Sequence, residues 1–575
     1  MPSGQRPVPV SAEVKVVLDL LIKDACVADG GGAPLIAADV GVAEGRIVEI
    51  GRIGAVARET VAADGLVLAP GIVDVHTHYD AQLTWESRCS PSPALGVTTV
   101  VIGNCGFSIA PCPAELRDLV ARNLSEVEGM SLDALTAGID WRFESYGDYL
   151  DLIERKGMVP NVAGFVGHST VRTAVMGEAA SRRAATAQEI AAMRTLVSAG
   201  VEAGAIGFAS STSENHNGYG GVPMPSRLAE DSEIMALAGV LGEVGRGVFQ
   251  MTVGPRTPVA FLEQVSRETG RTAVFSSVFQ NDTFPERGPG QRADCAVAQA
   301  RGARVFGQVS CQPLTMEFTL ANPYPFHSLE AWGPLKGASS DAIAVALGDP
   351  GFRARFRGSL ANPRRGTIFY GNWSRLHVAL GASEVGRTAE GRTIAELAAA
   401  AQRDPLDYFF DLGLEEGLAT VFTAQLVNAD EAQLEPLLRH ECGVIALSDA
   451  GAHLSLLCDA GFGLHLLGHW VRERRSFTLT EAIRRLTSAP AEIYGIRGRG
   501  RIERGFAADL LLFDPDHVGV GRVRRIADLP GGGSRMIRDP LGVHGVWVNG
   551  ARVFDGKEYV PVTRTPGRLL RDAGQ

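Results

Sequence analysis

Short apolar runs, almost unbroken by polar residues, recur through the middle of the chain. They are "VLAPGIVDVH" (67–76), "TTVVIGN" (98–104), "NVAGFVGH" (161–168), "AIGFAS" (205–210), "GVFQMTV" (247–253), "TAVFSSVF" (272–279), "RVFGQVS" (304–310) and "VIALSD" (444–449). Runs that do not alternate are what strands buried on both faces look like. Between several of them, apolar residues fall at helical spacing. "TAQEIAAMRTLVSAGVEAG" opens with a capping box, Thr186 to Glu189, and "TLTEAIRRLTS" repeats it with Thr478 and Glu481. "EDSEIMALAGVLGEVG" has the same periodicity. "TPVAFLEQVSRETG" predicts a helix with Thr257 as N-cap, Pro258 at its first position and Gly270 beyond its end. Eight strands alternating with helices predict an α/β fold, a (β/α)8 TIM barrel.

The two ends have another texture. "DLLIKDACVADG", "ADVGVAEGRIVEIG" and "VAADGLVLAPG" are short strands broken by Gly30–Gly32, Glu44-Gly45 and Asp64-Gly65. "RIERGFAADLLLFDPD" and "VHGVWVNGARVFDGKEYV" are alike, and Asn549-Gly550 is a strong hairpin signal. The expected organisation is a small β-sandwich domain from 1–69 plus 498–575 and a catalytic barrel over 70–497. A segment around 312–440 is too long for one connection and is expected to be an insertion. It holds a loop-like "NPYPFHSLEAWGPL" and a helical region from 394 to 416.

Composition narrows the function classes. The chain has 575 residues, 45% of them apolar, and a net charge of −10. Nothing forms the basic stripe of a nucleic-acid binder; "RVRRI" and "RERR" read as solvated faces. The N-terminal "MPSGQRPVPVSAEV" lacks a signal-peptide core, and no apolar run is long enough to span a membrane. Eight scattered cysteines without a CxxC pair read as free thiols in a reducing compartment, so the cytoplasm is the expected location.

In a barrel, chemistry sits where the strands end. The first run ends in His76-Thr77-His78. Residues i and i+2 of a strand point the same way, so both imidazoles can reach one metal ion; a plain polar strand end is the alternative. The second ends at Asn104-Cys105-Gly106, where Cys105 either ligates a metal as thiolate or simply fills the interior. The third ends at His168. The fourth leads into "SSTSENHNGYGG", a polar loop with Glu214, His216 and Tyr219. The last ends at Ser448-Asp449, and a carboxylate there must be paired, ligated or functional. Barrel closure makes the first and last strands neighbours. His76, His78 and Asp449 would then hold one divalent ion that lowers the pKa of water toward about 7 and polarises a carbonyl. Asp449 would take the water's proton and pass it to a leaving nitrogen.

These pieces together resemble the amidohydrolase superfamily, and within it the N-acyl-D-amino-acid deacylases. The matching stretches are "LAPGIVDVHTHYD", "GVTTVVIGNCGFSIAP", "NVAGFVGHSTVRTAVMG", "GAIGFASS", "SDAGAHL", "LTSAPAEIYGI" and "RGRIERGFAADLLLFDP", with "DLLIKDACVADG" and "ADVGVAEGRIVEIG" at the start. The resemblance implies a metal-bearing barrel with a β-sandwich, Cys105 as a metal ligand, and His168 near the substrate. It also implies histidine ligands ending the fifth and sixth strands. Here those strands carry Gln250 and Thr252, then Ser277 and Val278. The fourth strand has no ligand lysine either. Basic residues that would hold a substrate carboxylate are missing from "SVFQND" and "LSLLCDAGFG".

The expectation is therefore a zinc-dependent hydrolase of an amide bond in an N-acyl amino acid or related small amide. One zinc is expected on His76, His78 and Asp449 with Cys105 as a further ligand; two ions are the alternative. His168 and His216 are candidates to steady the carbonyl oxygen. Arg172, Tyr219 and Gln250 are candidate substrate contacts, with Arg227 and Arg256 as other arginines that could meet a carboxylate. Phe249, Phe275 and Phe279 form either an apolar pocket or barrel core. The rival readings are a cyclic amide or imide hydrolase, a lyase on the same site, and a barrel that binds without catalysis. The partner is a small molecule, neither nucleic acid nor membrane, and a homo-oligomer is left open.

Overall fold

The computed structural model describes residues 17–364, 367–454 and 458–575. The N-terminal stretch read for a signal peptide, and part of the segment beyond Asp449, lie outside them.

Each of the eight apolar runs contributes a strand to one sheet, and the first also supplies Val67–Pro70 to another. They are β1 (Ile72–Asp74), β2 (Val97–Ile102), β3 (Asn161–Gly167), β4 (Gly207–Ser211), β5 (Val248–Thr252), β6 (Thr272–Ser276), β7 (Val305–Val309) and β8 (Gly443–Ile445). Each pairs in parallel with the next in chain order. The ends of the sheet meet through a parallel bridge between Thr77 and Ala450, where the His78 N–H donates to the Ala450 carbonyl at 2.7 Å. The chain thus folds as a (β/α)8 barrel.

Burial on both strand faces explains the unbroken apolar runs. Val166 on β3 faces the helix Ala187–Glu202, against Gly200, where a Cβ would lie 2.5 Å from it. Its neighbour Phe165 meets Tyr494 at 6.3 Å between ring centroids. Val73, Val75, Val101, Phe165, Val274, Ala446 and Tyr494 pack in one cluster, while Ile72, Val100, Val166, Phe249 and Phe275 pack in a larger one with the surrounding helices.

The helix Ala187–Glu202 carries the full capping box, with Thr186 and Glu189 satisfying each other's backbone N–H. The helix Val259–Thr269 starts one residue later than its sequence suggests, with Pro258 as N-cap. Thr257 is occupied elsewhere: its hydroxyl bonds Thr212 Oγ1 at 2.5 Å and accepts from the Gly254 N–H.

Strands from both chain ends share a second, mixed sheet of eight. Leu18–Val27 lies beside Val67–Pro70, which pairs antiparallel with Leu510–Phe513. Asn549 and Gly550 both take positive φ between Val543–Val548 and Ala551–Phe554, the geometry a two-residue hairpin needs. Within 312–440 lies a three-stranded antiparallel sheet, Leu314–Phe318, Val421–Val427 and Leu376–Leu380, with helices that include Ile394–Ala400 and Pro405–Glu415. An aromatic core of Phe318, Phe326, Trp332, Phe356, Phe409, Phe410 and Phe422 holds it together, separate from the barrel's.

Candidate active site

His76 and His78 follow β1, Cys105 follows β2, and Asp449 follows β8. The structure brings these four together. His76 Nε2 lies 3.4 Å from Cys105 Sγ and 3.3 Å from Asp449 Oδ1. His78 Nε2 lies 4.0 Å from the same sulfur and 3.8 Å from the same oxygen. Among the described residues, His76, His78 and Cys105 form a group whose ligand atoms all lie within 4.8 Å of one another. The backbone is shaped for this: Cys105 and Asp449 both take positive φ, 58° and 45°. Gly451 follows at φ +96°, where a Cβ would come within 2.6 Å of the His78 carbonyl.

Charge in the cluster is strongly coupled. Burial drives the Cys105 thiol up, but His76 and His78 more than reverse this and bring it down to about 7. Burial also opposes ionisation of Asp449, and the neighbouring imidazoles, led by His76 and His78, hold it below its ordinary value. Two imidazoles, a sulfur that ionises readily and a carboxylate are a donor set suited to zinc.

Four further residues frame this cluster, and only His453, in "SDAGAHL", lies in a matching motif. Glu128 Oε1 sits 3.1 Å from His78 Nδ1. Gln308 on β7 reaches His76 Nδ1 at 2.6 Å. His453 lies beside Tyr324 of the inserted segment, ring centroids 6.3 Å apart and the planes tilted by 56°. Burial, then the charges of Glu128, Glu126 and Asp449, push the Tyr324 hydroxyl up to about 12.

The other expected residues fall in four places. Gln250 is buried beside Cys105: its Oε1 accepts from the Cys105 N–H at 2.9 Å and its Nε2 donates to Ser276 Oγ at 3.1 Å. His216 packs edge-on against Phe107 at 4.8 Å. Burial first, then the positive charges of His453, His78 and Arg227, push it down to about 3, so its ring is neutral. Ser211 Oγ accepts from the Ser213 N–H at 3.1 Å and lies 2.6 Å from His216 Nδ1. Tyr219 is 52% exposed, with the Arg122 guanidinium over its ring.

His168 and Arg172 form a separate buried network. His168 Nδ1 meets Ser210 Oγ at 2.8 Å and its Nε2 meets Glu233 Oε1 at 2.9 Å. Arg172 Nη1 pairs with both Glu233 oxygens at 2.5 Å, and all three residues are fully buried. Burial holds His168 below its ordinary value although Glu233 pulls the other way. Removing one member of a buried ion pair strands the other's charge. Glu233→Gln is expected to lower unfolding stability by about 3–5 kcal/mol, measured by denaturant titration. A loss below about 1 kcal/mol would show that Arg172 finds another partner.

A parallel barrel with imidazoles, a thiol and a carboxylate converging where its strands end defines a metal-dependent hydrolase. The chain belongs to the amidohydrolase family, whose model matches residues 59–355 and 374–554. D-aminoacylase of Alcaligenes xylosoxydans xylosoxydans is 30% identical over 561 residues, 96% of this chain and 97% of that protein. Among solved structures, the N-acyl-D-glutamate deacylase of Bordetella bronchiseptica, complexed with zinc and a phosphonate mimic of the tetrahedral intermediate, aligns with a TM-score of 0.66 and 26% identity. That alignment covers 97% of this chain and 100% of that one. A D-aminoacylase with a binuclear metal centre, described as activated by one metal and attenuated by the second, aligns at 0.64 and 26%, covering 96% and 99%.

Proposed function

We propose that this protein is a zinc-dependent deacylase that hydrolyses the amide bond of N-acyl-D-amino acids. The observation that carries this reading is the meeting of His76, His78, Cys105 and Asp449 at one point, in a chain similar from end to end to D-aminoacylase. His76, His78 and Cys105 would hold one zinc, with Asp449 beside it. Zinc, when bound there, supplies Lewis-acid polarisation of the scissile carbonyl and acidifies water.

The chain's own residues do the rest. Asp449 takes a proton from the attacking water and delivers it to the amide nitrogen as the carbon–nitrogen bond breaks. Held low by the surrounding imidazoles, it is ionised and ready to accept. With its proton on Nε2, the neutral His216 ring is a donor for oxygen as negative charge develops on it. His168 has both nitrogens engaged, by Ser210 and Glu233, and so leaves none for the developing oxyanion. Gln250 holds the Cys105 backbone. Tyr324 brings the inserted segment 312–440 to the site's edge, against a barrel assigned to 70–497 and a β-domain assigned to 1–69 plus 498–575.

Substrate recognition falls to Arg227. Arg172 is neutralised by Glu233, and Arg256 pairs with Asp231 at 2.8 Å. Arg227 Nη1 meets only neutral oxygens, the His216 carbonyl at 3.1 Å and Asn217 Oδ1 at 2.5 Å. Among the described residues no carboxylate lies within ion-pair distance of it. An N-acyl amino acid brings one. Arg227→Met is expected to lower kcat/KM by roughly 10–100-fold, the worth of one charged hydrogen bond, chiefly through KM. A KM within twofold of wild type would remove Arg227 from the site.

All eight cysteines are free, and no described helix is long and apolar enough to cross a membrane; we assign the reaction to the cytoplasm. The experiment that tests the function supplies zinc-loaded protein with N-acetyl-D- and N-acetyl-L-amino acids, neutral and acidic, and follows free amine. Release from D-substrates is expected. Equal release from both hands would remove the stereochemical assignment, and none from either would remove the activity.

A further inference from the structure

An imidazole offers a metal only one of its nitrogens, and the other must carry the proton. In His76, Nε2 is the atom that faces Cys105 and Asp449. Nδ1 points the other way, into the barrel, and lies 2.6 Å from Gln308 Oε1. Gln308 belongs to β7, 232 residues further along the chain. Its Nε2 donates to the Tyr494 hydroxyl at 2.8 Å. His76, Gln308 and Tyr494 are all buried, and Tyr494 packs against Phe165. Water does not reach this line of contacts, so the side chains must satisfy one another.

The direction of the line matters. An amide oxygen only accepts and an amide nitrogen only donates. With Oε1 toward His76, the imidazole keeps its proton on Nδ1 and leaves the Nε2 lone pair for a metal. With the amide turned over, the Gln308 N–H would claim Nδ1, the proton would move to Nε2, and the ligand would be lost. The Tyr494 hydroxyl takes the hydrogen of Gln308 Nε2 and so anchors the far end of the amide; the orientation with Oε1 toward His76 is the one that a metal on His76 Nε2 requires. A metal-ligating histidine usually hands its second N–H to a carboxylate or a backbone carbonyl. Here a neutral side-chain amide fills that place.

We propose that Gln308 is a positioning residue that fixes His76 in its metal-binding tautomer, and that Tyr494 anchors the Gln308 amide. The inference rests on the reading of His76 as a metal ligand given above. It also assigns a use to two buried polar side chains that touch neither the carboxylate nor the thiol of the site.

The test is zinc affinity, measured at one pH by competition with a chromophoric chelator, on protein stripped of metal. Gln308→Met keeps the length of the side chain and removes the acceptor; it is expected to weaken zinc binding by about 10–100-fold. Gln308→Glu restores an acceptor and should bind zinc at least as tightly as wild type, which a packing role alone would not predict. Tyr494→Phe should weaken binding by a smaller factor, since the amide is still present but no longer anchored. Wild-type affinity in Gln308→Met overturns the proposal. Should that variant not fold, Tyr494→Phe decides, and unchanged affinity there overturns it instead. His76→Ala in the same titration separates the two readings. If His76→Ala binds zinc like wild type, the site reading fails and this inference with it. If it loses zinc while Gln308→Met does not, only the role of Gln308 fails.

Discussion

Asp449→Asn is expected to lower kcat by roughly 10²–10⁴-fold, the range for losing a positioned general acid–base group, while zinc stays bound. Asparagine is the informative replacement because residue 449 sits at φ 45°. Asn, like Asp, visits that region readily, whereas a bulkier or β-branched residue would strain it. The shape of the loop after β8 is kept and only the basicity is lost. An amide oxygen cannot take a proton from water at neutral pH, so the transfer from water to the leaving nitrogen has no carrier. His76, His78 and Cys105 remain in place, which is why metal content should fall little. Elemental mass spectrometry and steady-state kinetics on the same sample check both halves. Activity within tenfold of wild type would mean that another group carries the proton.

His76→Ala should have the larger effect, removing both metal and measurable turnover. His76 is the hub of the cluster: its Nε2 is close to Cys105 and Asp449, and its Nδ1 is tied to Gln308. Without it, Cys105 loses the first of the two imidazoles that bring its thiol down to about 7, and burial then favours the protonated form, which does not ligate. Two ligands are thus weakened by one substitution. The wild type, purified without added metal, should carry about one zinc per chain, and the variant close to none. A variant that keeps the wild-type zinc content would place the ion somewhere else.

The reasons why parts of this site could be read from the sequence are local. His76 and His78 are two residues apart at the end of an apolar run, and strand geometry alone puts them on one side. Asp449 ends another such run, and barrel closure makes β1 and β8 neighbours, as the Thr77–Ala450 bridge shows. Cys105 was ambiguous because a buried cysteine is common. Only its 3.4 Å approach to His76 separates a ligand candidate from a space filler. Arg172 shows the opposite case. An arginine four residues beyond the strand-end His168 invites a substrate role, but Glu233, 61 residues away, takes its charge. Glu128 and Gln308 carry no motif, and Tyr494 lies in "LTSAPAEIYGI" with nothing there to point to its partner. Each acts through one contact with a residue remote in sequence, and such contacts leave no periodicity or spacing behind.

Sequence by itself determined the strands and their order, because burial on both faces writes unbroken apolar runs and tight turns write Asn-Gly and Glu-Gly pairs. It also determined which residue types stand at the strand ends. Tertiary structure decided which of them share a space and in which protonation state. The neutrality of the His216 ring depends on its burial and the charges around it, the acidity of Cys105 on two imidazoles from another strand, and the engagement of Arg172 and Arg256 on the acids that pair with them. Those are properties of distance and dielectric, and distance between remote residues exists only once the barrel has closed.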